Sequence, residues 1–456
     1  MGSTIIDSAF LKDLYGTPEM RAVFSDSNLL QKWLDIEAAL AQAEAELGLI
    51  PVRVAEEIRR AAHSENISWE AIKQGVDDTV HPIVPVIRAL QAACNGDAGE
   101  YIHWGATTQD IMDTALVLQI KEALPIIENR LEELSAALVK LTEAHRDTLM
   151  PGRTHGQHAL PITFGYKTAV WLAEIERHRR RLEQLKPRLL VGQLGGAAGT
   201  LASLQSHALP VQERVMAILG LQAPVITWHT SRDCFAEYAG LMAMLSASLG
   251  KISHEIITLQ RTEVAEVEEP FNAGKVGSST MPHKRNPMYC EAILALSRLV
   301  MRLAPAAWDA MIQENERDWS SDHIEWAYMP EINIYTDGAL ALAVRVTSGL
   351  QVHPENMRRN LELTDGLIMS EAVMLALAKH IGRQSAHDAV YRCAMKSHQD
   401  KQPFADVLAR DPVVAPHLVP AQIKDLLDPK DYNGIMAISI DRLLIQAATH
   451  KKADTA

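Results

Sequence analysis

One polar run carries the residues with the clearest chemical potential. Residues 277–287 read G-S-S-T-M-P-H-K-R-N-P, and the glycine and two prolines in that run predict a loop rather than a helix. The run offers the hydroxyls of Ser278 and Ser279, the ammonium of Lys284 and the amide of Asn286, with almost no apolar residue between them. Small residues also let backbone N–H groups approach a bound ion, so the loop predicts an anion site. An ordinary connection between two helices is the alternative.

A second group of hydroxyl and amide side chains precedes a long segment with apolar periodicity. Thr107, Thr108 and Gln109 stand just before this segment, which begins at Ile111. If the segment is a helix, these side chains and the unpaired N–H groups of its first turn form a natural site for a carboxylate. The alternative is that Thr107 or Thr108 simply caps the helix.

Two histidines are candidates for proton transfer, because an imidazole titrates near neutral pH. His155 lies in the run G-R-T-H-G-Q-H-A at 152–159, and His81 lies in the run T-V-H-P-I-V at 79–84. A metal site made by His155 and His158 is disfavoured, because no third ligand stands nearby in the sequence. His81 is either part of the site or a surface histidine at a capped position.

Two further runs invite a functional interpretation. The glycine-rich run 192–199 follows no predicted strand and lacks a suitable acidic residue, so a dinucleotide site is not predicted there. Four glutamates precede the polar loop, namely Glu263, Glu266, Glu268 and Glu269. We expect them to lie on a solvated helix face, with Glu268 tuning the loop as the alternative.

These segments resemble the fumarase/aspartase superfamily, and the resemblance covers nearly the whole chain. The loop 277–287 is similar to the signature loop of that superfamily, and the runs 103–110 and 152–159 are similar to two of its other blocks. The chain is most similar to 3-carboxy-cis,cis-muconate cycloisomerases and to adenylosuccinate lyases. The first similarity rests on P-R-L-L-V at 187–191, W-H-T at 228–230, R-N-L at 359–361 and T-D-G-L at 364–367. The second rests on His81 and His155.

The resemblance implies a role for particular residues. Ser278, next to Ser279, is the base, and His155 is the acid that protonates the leaving group, although His81 remains an alternative acid. Because a serine hydroxyl is a weak base, the positive field of the loop must stabilise its alkoxide. Gln193 is expected to touch the substrate. Arg317 is expected to pair bidentately with a substrate carboxylate, with a structural ion pair as an equally good explanation.

The superfamily reaction, and therefore the predicted one, removes a proton from the carbon next to a carboxylate and expels a group from the neighbouring carbon. Preformed donors must stabilise the charge that gathers on the carboxyl group, and Lys284, Asn286 and Thr107 are the candidates. We predict a lyase that acts by β-elimination on a substituted succinate or aspartate and releases fumarate by C–N or C–O cleavage. A lactonising carboxymuconate cycloisomerase is the alternative.

Two other functions of this superfamily fit the sequence less well. Adenylosuccinate lyases have charged groups for their nucleotide where this chain has Val80, Pro82 and the pair Glu325-Trp326. A catalytically inactive homologue would have lost its base or its acid, and this chain keeps both. The predicted substrate is therefore a small anionic di- or tricarboxylate.

Composition excludes several classes of protein. A net charge of −13 and the lack of a basic patch argue against a nucleic-acid partner, while leaving room for a small anionic ligand. The four cysteines form no C-x-x-C pair, which predicts a reducing compartment. We see no signal peptide and no apolar run of about 18 residues, so we expect a cytoplasmic protein with no membrane partner. Nothing calls for a metal or an organic cofactor.

The elements that must position these residues are helices. Aromatic residues make up only 5% of the chain, and helical periodicity continues for more than 20 residues in each of four segments, 111–145, 160–185, 235–263 and 289–311. A further helix is predicted over Leu29–Leu47, with Ser27 or Asn28 as its N-cap. The fold class is therefore all-α, with a central bundle of long helices.

Three domains are expected from these patterns and from the resemblance. They comprise an N-terminal helical domain over residues 1–105, a central bundle over 106–350 that includes the signature loop at 274–287, and a C-terminal helical domain over 351–456. The resemblance also implies a homotetramer with a helical core and active sites shared between subunits.

Overall fold

The computed structural model consists mainly of α-helices, which confirms the predicted all-α fold class. It describes residues 4–271, 280, 281 and 283–453. Within those residues the strands form only two small antiparallel pairs. Helical periodicity with few aromatic residues thus leads to helix-on-helix packing, as the composition indicates.

Eighteen α-helices form in the described part of the chain. The first nine are α1 (Lys12–Tyr15), α2 (Pro18–Val23), α3 (Asp26–Glu46), α4 (Val52–Ala61), α5 (Trp69–Thr79), α6 (Ile83–Ala93), α7 (Thr108–Ala144), α8 (Phe164–Leu189) and α9 (Ala208–Leu219). The other nine are α10 (Asp233–Leu259), α11 (Met288–Asp309), α12 (Trp319–Gly349), α13 (Pro354–Glu362), α14 (Ser370–Ile381), α15 (Arg383–Asp400), α16 (Phe404–Arg410), α17 (Pro420–Leu426) and α18 (Met436–Ala453).

The four predicted long segments correspond to α7, α8, α10 and α11. A fifth long helix, the 31-residue α12, was not predicted, because Pro330 and Gly338 interrupt its sequence pattern. Gly338 is there for packing rather than for a turn, since a Cβ at this position would lie only 2.6 Å from the carbonyl oxygen of Tyr15. The glycine therefore lets another segment approach the helix closely.

Helix α3 begins one turn earlier than the sequence suggests. Its N-cap is Ser25, whose hydroxyl accepts a hydrogen bond from the backbone N–H of Asn28 at 3.3 Å. The predicted caps, Ser27 and Asn28, therefore lie inside the first turn. Ser25 is extended (φ −74°, ψ 151°), as an N-cap residue usually is.

A β-hairpin replaces the predicted helical start at Leu160. Strand β1 (Leu149–Thr154) pairs with β2 (Gln157–Thr163), and α8 begins only at Phe164. His155 and Gly156 form the two-residue turn with φ values of 51° and 75°. Positive φ at both central residues is the geometry that a tight hairpin needs. The other strand pair is shorter and joins β3 (Val267–Glu268) to β4 (Gln351–Val352).

The chain forms two compact units, each built from three separated stretches. The first unit comprises Met1–Glu132, Arg177–Gly250 and Ala292–Leu342, and the second comprises Glu133–Glu176, Lys251–Glu291 and Ala343–Ala456. The predicted three-domain division stays a prediction. No helix of the described residues is both long enough and apolar enough to cross a membrane. All four cysteines are free thiols.

Each unit has its own apolar core. In the first unit, side chains such as Leu34 of α3, Ile58 of α4 and Leu90 of α6 are fully buried against one another. In the second unit, Leu377 of α14 and Phe404 of α16 belong to a comparable cluster. Burial of such side chains is the main stabilising contribution to both units.

Candidate active site

The predicted functional residues are divided between the two units. The first unit contains His81, Thr107, Thr108, Gln109, Gln193 and Arg317, and the second contains His155, Lys284 and Asn286. Ser278 and Ser279 lie outside the described residues. We describe the groups in each unit separately.

Asp110 links the start of α7 to two loops of the first unit. Its Oδ2 accepts hydrogen bonds from the backbone N–H groups of Thr107 and Gly196, both at 2.9 Å. Its Oδ1 accepts from the N–H of Gly195 and from Nε2 of His229, both at 2.7 Å. This carboxylate is fully buried. Its four charge-assisted hydrogen bonds therefore connect the backbone at Thr107 to the backbone at Gly195 and Gly196 and to the His229 side chain.

Asp110 and His229 lie in runs named for the resemblance, 103–110 and 228–230, but neither residue was predicted to belong to the site. A signal for Asp110 was present, because it stands three residues after Thr107, the spacing at which an acidic side chain reaches back to the N-cap N–H group. The run W-H-T at 228–230 did not indicate that His229 would bind Asp110, because the two residues lie 119 positions apart in the sequence.

Thr108 is paired with His81, so two predicted residues meet in the structure. Oγ1 of Thr108 lies 3.0 Å from Nε2 of His81, and Nδ1 of His81 accepts a hydrogen bond from the N–H of Val84 at 3.3 Å. The imidazole stacks on the indole of Trp319, with ring centroids 5.4 Å apart and planes 7° from parallel. Burial, and then the nearby charge of His103, lower the pKa of His81.

Gln109 holds Arg317 in place. The Gln109 side chain is buried, and its Nε2 donates to the carbonyl oxygen of His229 at 2.9 Å. Its Oε1 accepts from Nε of Arg317 at 3.0 Å, while Nη2 of Arg317 donates to the carbonyl oxygen of Ala197, also at 3.0 Å. Arg317 forms no ion pair with a carboxylate of the described residues. Both acceptors of the Arg317 guanidinium are neutral, so its positive charge is not neutralised and the guanidinium can bind an anion.

Gln193 is part of the supporting structure in this conformation. Only 1% of the residue is exposed. Its Oε1 accepts from the N–H of Trp228 at 3.1 Å, and its Nε2 donates to Oγ1 of Thr227 at 2.6 Å. Because both ends of its amide are occupied, its contact with a substrate stays a prediction.

In the second unit, the hairpin presents His155 at its tip. The residue is exposed and lies beside Gly156 in the turn. On the strand that precedes the turn, the guanidinium of Arg153 pairs with the carboxylate of Glu266. Its Nη1 lies 3.0 Å from Oε2 and its Nη2 lies 2.6 Å from Oε1. This bidentate ion pair fixes the position of the strand that ends next to His155.

The expectation that the acidic run lies on a solvated helix face is wrong. Glu266 and Glu269 are both buried, because each has a specific partner. Glu266 binds Arg153, and Glu269 accepts hydrogen bonds from the N–H groups of Tyr289 and Cys290, both at 3.1 Å, in the first turn of α11. A carboxylate is favoured there by the unpaired N–H groups and by the helix dipole.

Lys284 and Asn286 line a cavity of the second unit. The cavity has a volume of about 740 Å³, and its other basic lining residues are Arg261, His283, Arg285 and His353. Glu268 lines it too and binds Nη1 of Arg285 at 2.9 Å, so it contacts the polar loop, as one of its two interpretations proposed. The lining carries several hydrogen-bond donors and cations, which suits an anionic ligand.

One buried cluster of the first unit has the donor set for a metal ion. Oxygens of Asp113, Asp322 and Glu325 lie within 4.8 Å of one another. The guanidinium of Arg232, however, contacts both oxygens of Asp113 at 2.8 and 2.9 Å and Oε1 of Glu325 at 2.8 Å. Burial, followed by the charge of Asp113, raises the pKa of Asp322 to about 7. The cluster is therefore held together by an arginine, and Glu325 faces Arg232.

Two protein-family models match the chain. The family described as lyase matches residues 15–302, and the family described as adenylosuccinate lyase C-terminus matches residues 366–443. The chain is 44% identical to N-acetyl-S-(2-succino)cysteine lyase from Enterococcus italicus, covering 97% of both proteins. It is also 44% identical to adenylosuccinate lyase from Methanocaldococcus jannaschii, covering 94% of each.

A solved structure shows the same architecture. The 3-carboxy-cis,cis-muconate lactonizing enzyme from Pseudomonas putida superposes with a TM-score of 0.90 at 39% identity. The match covers 96% of this chain and 99% of that enzyme. The likeness therefore extends over both units of the chain.

Proposed function

Because the chain belongs to the fumarase/aspartase superfamily of lyases, we propose that it catalyses β-elimination on a 2-substituted succinate or aspartate and releases fumarate. The observation that carries the proposal is the state of Arg317. Gln109 and Ala197 hold its guanidinium at the start of α7 without cancelling its charge. A fixed cation beside a helix N-terminus is suited to a substrate carboxylate.

In the proposed reaction, the alkoxide of Ser278 takes a proton from the carbon next to one carboxylate. The electron pair of that C–H bond becomes the carbon–carbon double bond of fumarate, and the bond from the neighbouring carbon to the leaving atom breaks. The leaving group keeps that bonding pair and takes a proton from His155. Lys284 and Asn286 stabilise the charge that gathers on the carboxyl group during proton removal.

The leaving group is proposed to be a thiol, an amine or a hydroxyl compound. We add carbon–sulfur cleavage to the C–N and C–O cleavage predicted from the sequence, because the name of the Enterococcus italicus relative describes a substrate with a succinyl group on sulfur. Without protonation, a thiol is also the best leaving group of the three, because a thiolate is a much weaker base than an alkoxide or a deprotonated amine. A 2-succinyl thioether is therefore the first substrate to test.

A cycloisomerase is the second candidate, favoured by the close superposition on the Pseudomonas putida lactonizing enzyme. In that reaction a carboxylate oxygen of the substrate bonds to one carbon of a carbon–carbon double bond and closes a lactone. The π bond breaks and the other carbon takes a proton, so the proton transfer is that of the elimination in reverse. Both candidates need the same binding groups for carboxylates.

The proposed assembly is a homotetramer whose active sites combine residues from several copies. Apolar side chains on the surface of the single chain support this assembly. Val225 and Ile226 are 104% and 77% exposed, and Ile312 is 79% exposed. An interface between copies of the chain would cover exposed apolar side chains of this kind. With four free thiols in the chain, we propose a reducing cytoplasmic setting.

A substrate panel tests the proposed function. The purified protein is incubated separately with N-acetyl-S-(2-succino)cysteine, L-aspartate, adenylosuccinate and 3-carboxy-cis,cis-muconate, and fumarate or lactone is measured by ultraviolet absorbance and chromatography. We expect fumarate from the thioether or from another 2-substituted succinate. Lactone formation as the only efficient reaction would establish the second candidate instead.

A further inference from the structure

We propose that His81 is a positioning residue, which donates a hydrogen bond from its neutral ring to Thr108 and so directs the Thr108 hydroxyl proton towards the substrate. In this role His81 does not act as the acid that protonates the leaving group. This assignment rests on the proposed function and on the prediction from the sequence that Thr108 binds a carboxylate of the substrate.

The hydrogen bonds of the His81 ring determine which nitrogen carries the proton. The N–H group of Val84, in the first turn of α6, points at Nδ1 at 3.3 Å. A backbone N–H can only donate, so Nδ1 must offer its lone pair. A neutral imidazole with an unprotonated Nδ1 has its proton on Nε2. The contact of 3.0 Å between Nε2 and Oγ1 of Thr108 is therefore a hydrogen bond that His81 donates.

The surroundings of His81 favour this neutral form. On one side the ring is covered by Trp319 of α12, which has no charge to offer. Among the described residues, the charged group that acts on the ring is His103, whose Nδ1 lies 2.7 Å from Oε1 of Glu37. Burial disfavours the charged form of His103, but Glu37 outweighs it and raises the pKa of His103. A charged His103 in turn opposes a second positive charge on His81.

The consequence concerns the Thr108 hydroxyl. Its oxygen accepts from His81, so its own proton is available to another acceptor. Thr108 is the first residue of α7, where unpaired N–H groups already favour an anion. A chain of hydrogen bonds from Val84 through His81 to Thr108 also polarises the hydroxyl and strengthens its donation to a carboxylate.

Side-chain replacement separates positioning from proton transfer. His81→Gln keeps an amide donor near the position of Nε2 and cannot act as an acid, whereas His81→Ala removes the donor. We expect kcat/KM of His81→Gln to remain within about tenfold of the parent. That of His81→Ala should fall roughly 10- to 100-fold, because the misdirected Thr108 hydroxyl then loses its hydrogen bond to the charged carboxylate. Adding Thr108→Ala to His81→Ala should cause little further loss. Equal inactivity of the Gln and Ala variants, with unchanged thermal stability, would overturn the proposal.

A direct measurement of the tautomer does not depend on activity. In protein labelled with ¹⁵N-histidine, the signals missing from His81→Gln identify His81. We expect the shift of an unprotonated Nδ1 and of a protonated Nε2 at neutral pH without substrate. The reverse tautomer or a cationic ring refutes the proposal, whatever the substrate panel shows. Conversely, absence of elimination with the expected tautomer refutes only the proposed function.

Discussion

Gln109 and Arg317 lie 208 residues apart in the sequence, and the amide oxygen of the first accepts a hydrogen bond from Nε of the second at 3.0 Å. The contact fixes a cation against the first turn of the longest helix. Because the amide is neutral, the guanidinium keeps its full charge. Under the proposed function, this fixed cation would attract a dianionic substrate to a chain whose net charge is −13.

Arg317→Met should weaken substrate binding strongly. We expect kcat/KM to fall by about 10- to 100-fold or more, because a charge-assisted contact contributes about 1.5–3 kcal/mol. Arg317→Lys should recover only part of this loss, since an ammonium cannot reproduce the planar fork. Steady-state kinetics on the best substrate of the panel measures both effects.

The matched control for this test is Arg358→Met. Arg358 lies exposed on α13 and pairs only loosely with Glu362, at 3.4 Å. It changes the net charge by the same amount. An equal loss in both variants would show that overall charge, and not the fixed position of Arg317, governs binding.

Ser278→Ala should abolish turnover while leaving the fold and substrate binding largely intact. The reason is that the proposed reaction has no other base to accept the proton from carbon. Turnover, circular dichroism and substrate binding by calorimetry are compared with the parent protein. Activity within tenfold of the parent would remove Ser278 from the mechanism.

Mixed subunits test the shared active site. Ser278→Ala and His155→Ala should each be inactive alone. If the base and the acid of one site come from different copies, denaturing and refolding the two variants together should restore part of the activity. Refolded single variants provide the baseline. A protein that is monomeric at micromolar concentration by light scattering would contradict the tetramer and this prediction together.

Glu44→Gln should stabilise the protein in alkaline solution. Glu44 is fully buried on α3, and neither of its carboxyl oxygens has a hydrogen-bond partner among the described residues. Burial, followed by the charge of Glu37, raises the pKa of Glu44 to about 8. The folded state thus binds this proton more tightly than the unfolded state, whose carboxyl has a pKa near 4.5. The contribution of this proton to the stability of the folded state is complete below about pH 4.5 and is lost as the pH rises through about 8.

The variant should therefore match the parent in melting temperature near pH 5 and exceed it increasingly up to pH 8.5. A matched control is Glu56→Gln, which removes an exposed carboxylate from the neighbouring helix α4. Scanning calorimetry at several pH values supplies the comparison. A constant difference between Glu44→Gln and the parent at all pH values would mean that Glu44 does not titrate in this range.

Local patterns were sufficient to predict much of this molecule. Apolar residues recurring with the helical period gave four of the long helices, because each buries one continuous stripe. The hydroxyl and amide side chains before Ile111 were recognised as the head of a helix, and Thr108 is its first residue. Such signals lie within one or two turns of the chain, where sequence spacing and spatial proximity agree.

Contacts between distant segments could not be predicted in this way. Glu266 was expected on a solvated face, yet it is buried because Arg153, which lies 113 residues earlier, reaches it from the hairpin. Asp110 likewise finds His229 and the Gly195-Gly196 backbone only after folding. A buried charge needs a partner, but spacing within the sequence does not identify which one.

Adenylosuccinate should be a poor substrate, even though one relative at 44% identity is named adenylosuccinate lyase. Val80, which is 70% exposed, and Trp326, which is 40% exposed, stand where adenylosuccinate lyases are expected to place charged groups for the nucleotide. Each missing charge-assisted contact should lower affinity about 10- to 100-fold. We therefore expect kcat/KM for adenylosuccinate to remain well below about 10⁵ M⁻¹s⁻¹.

Restoring a charge at the same surface makes this prediction sharper. Trp326→Arg should raise kcat/KM for adenylosuccinate relative to that for a small substituted succinate, because only the nucleotide carries a phosphate. Trp104→Arg adds the same charge at a tryptophan that is 47% exposed, and it should not change that ratio. Efficient cleavage of adenylosuccinate by the parent protein would show that the nucleotide is held by other residues. The proposed small substrate would then have to be abandoned.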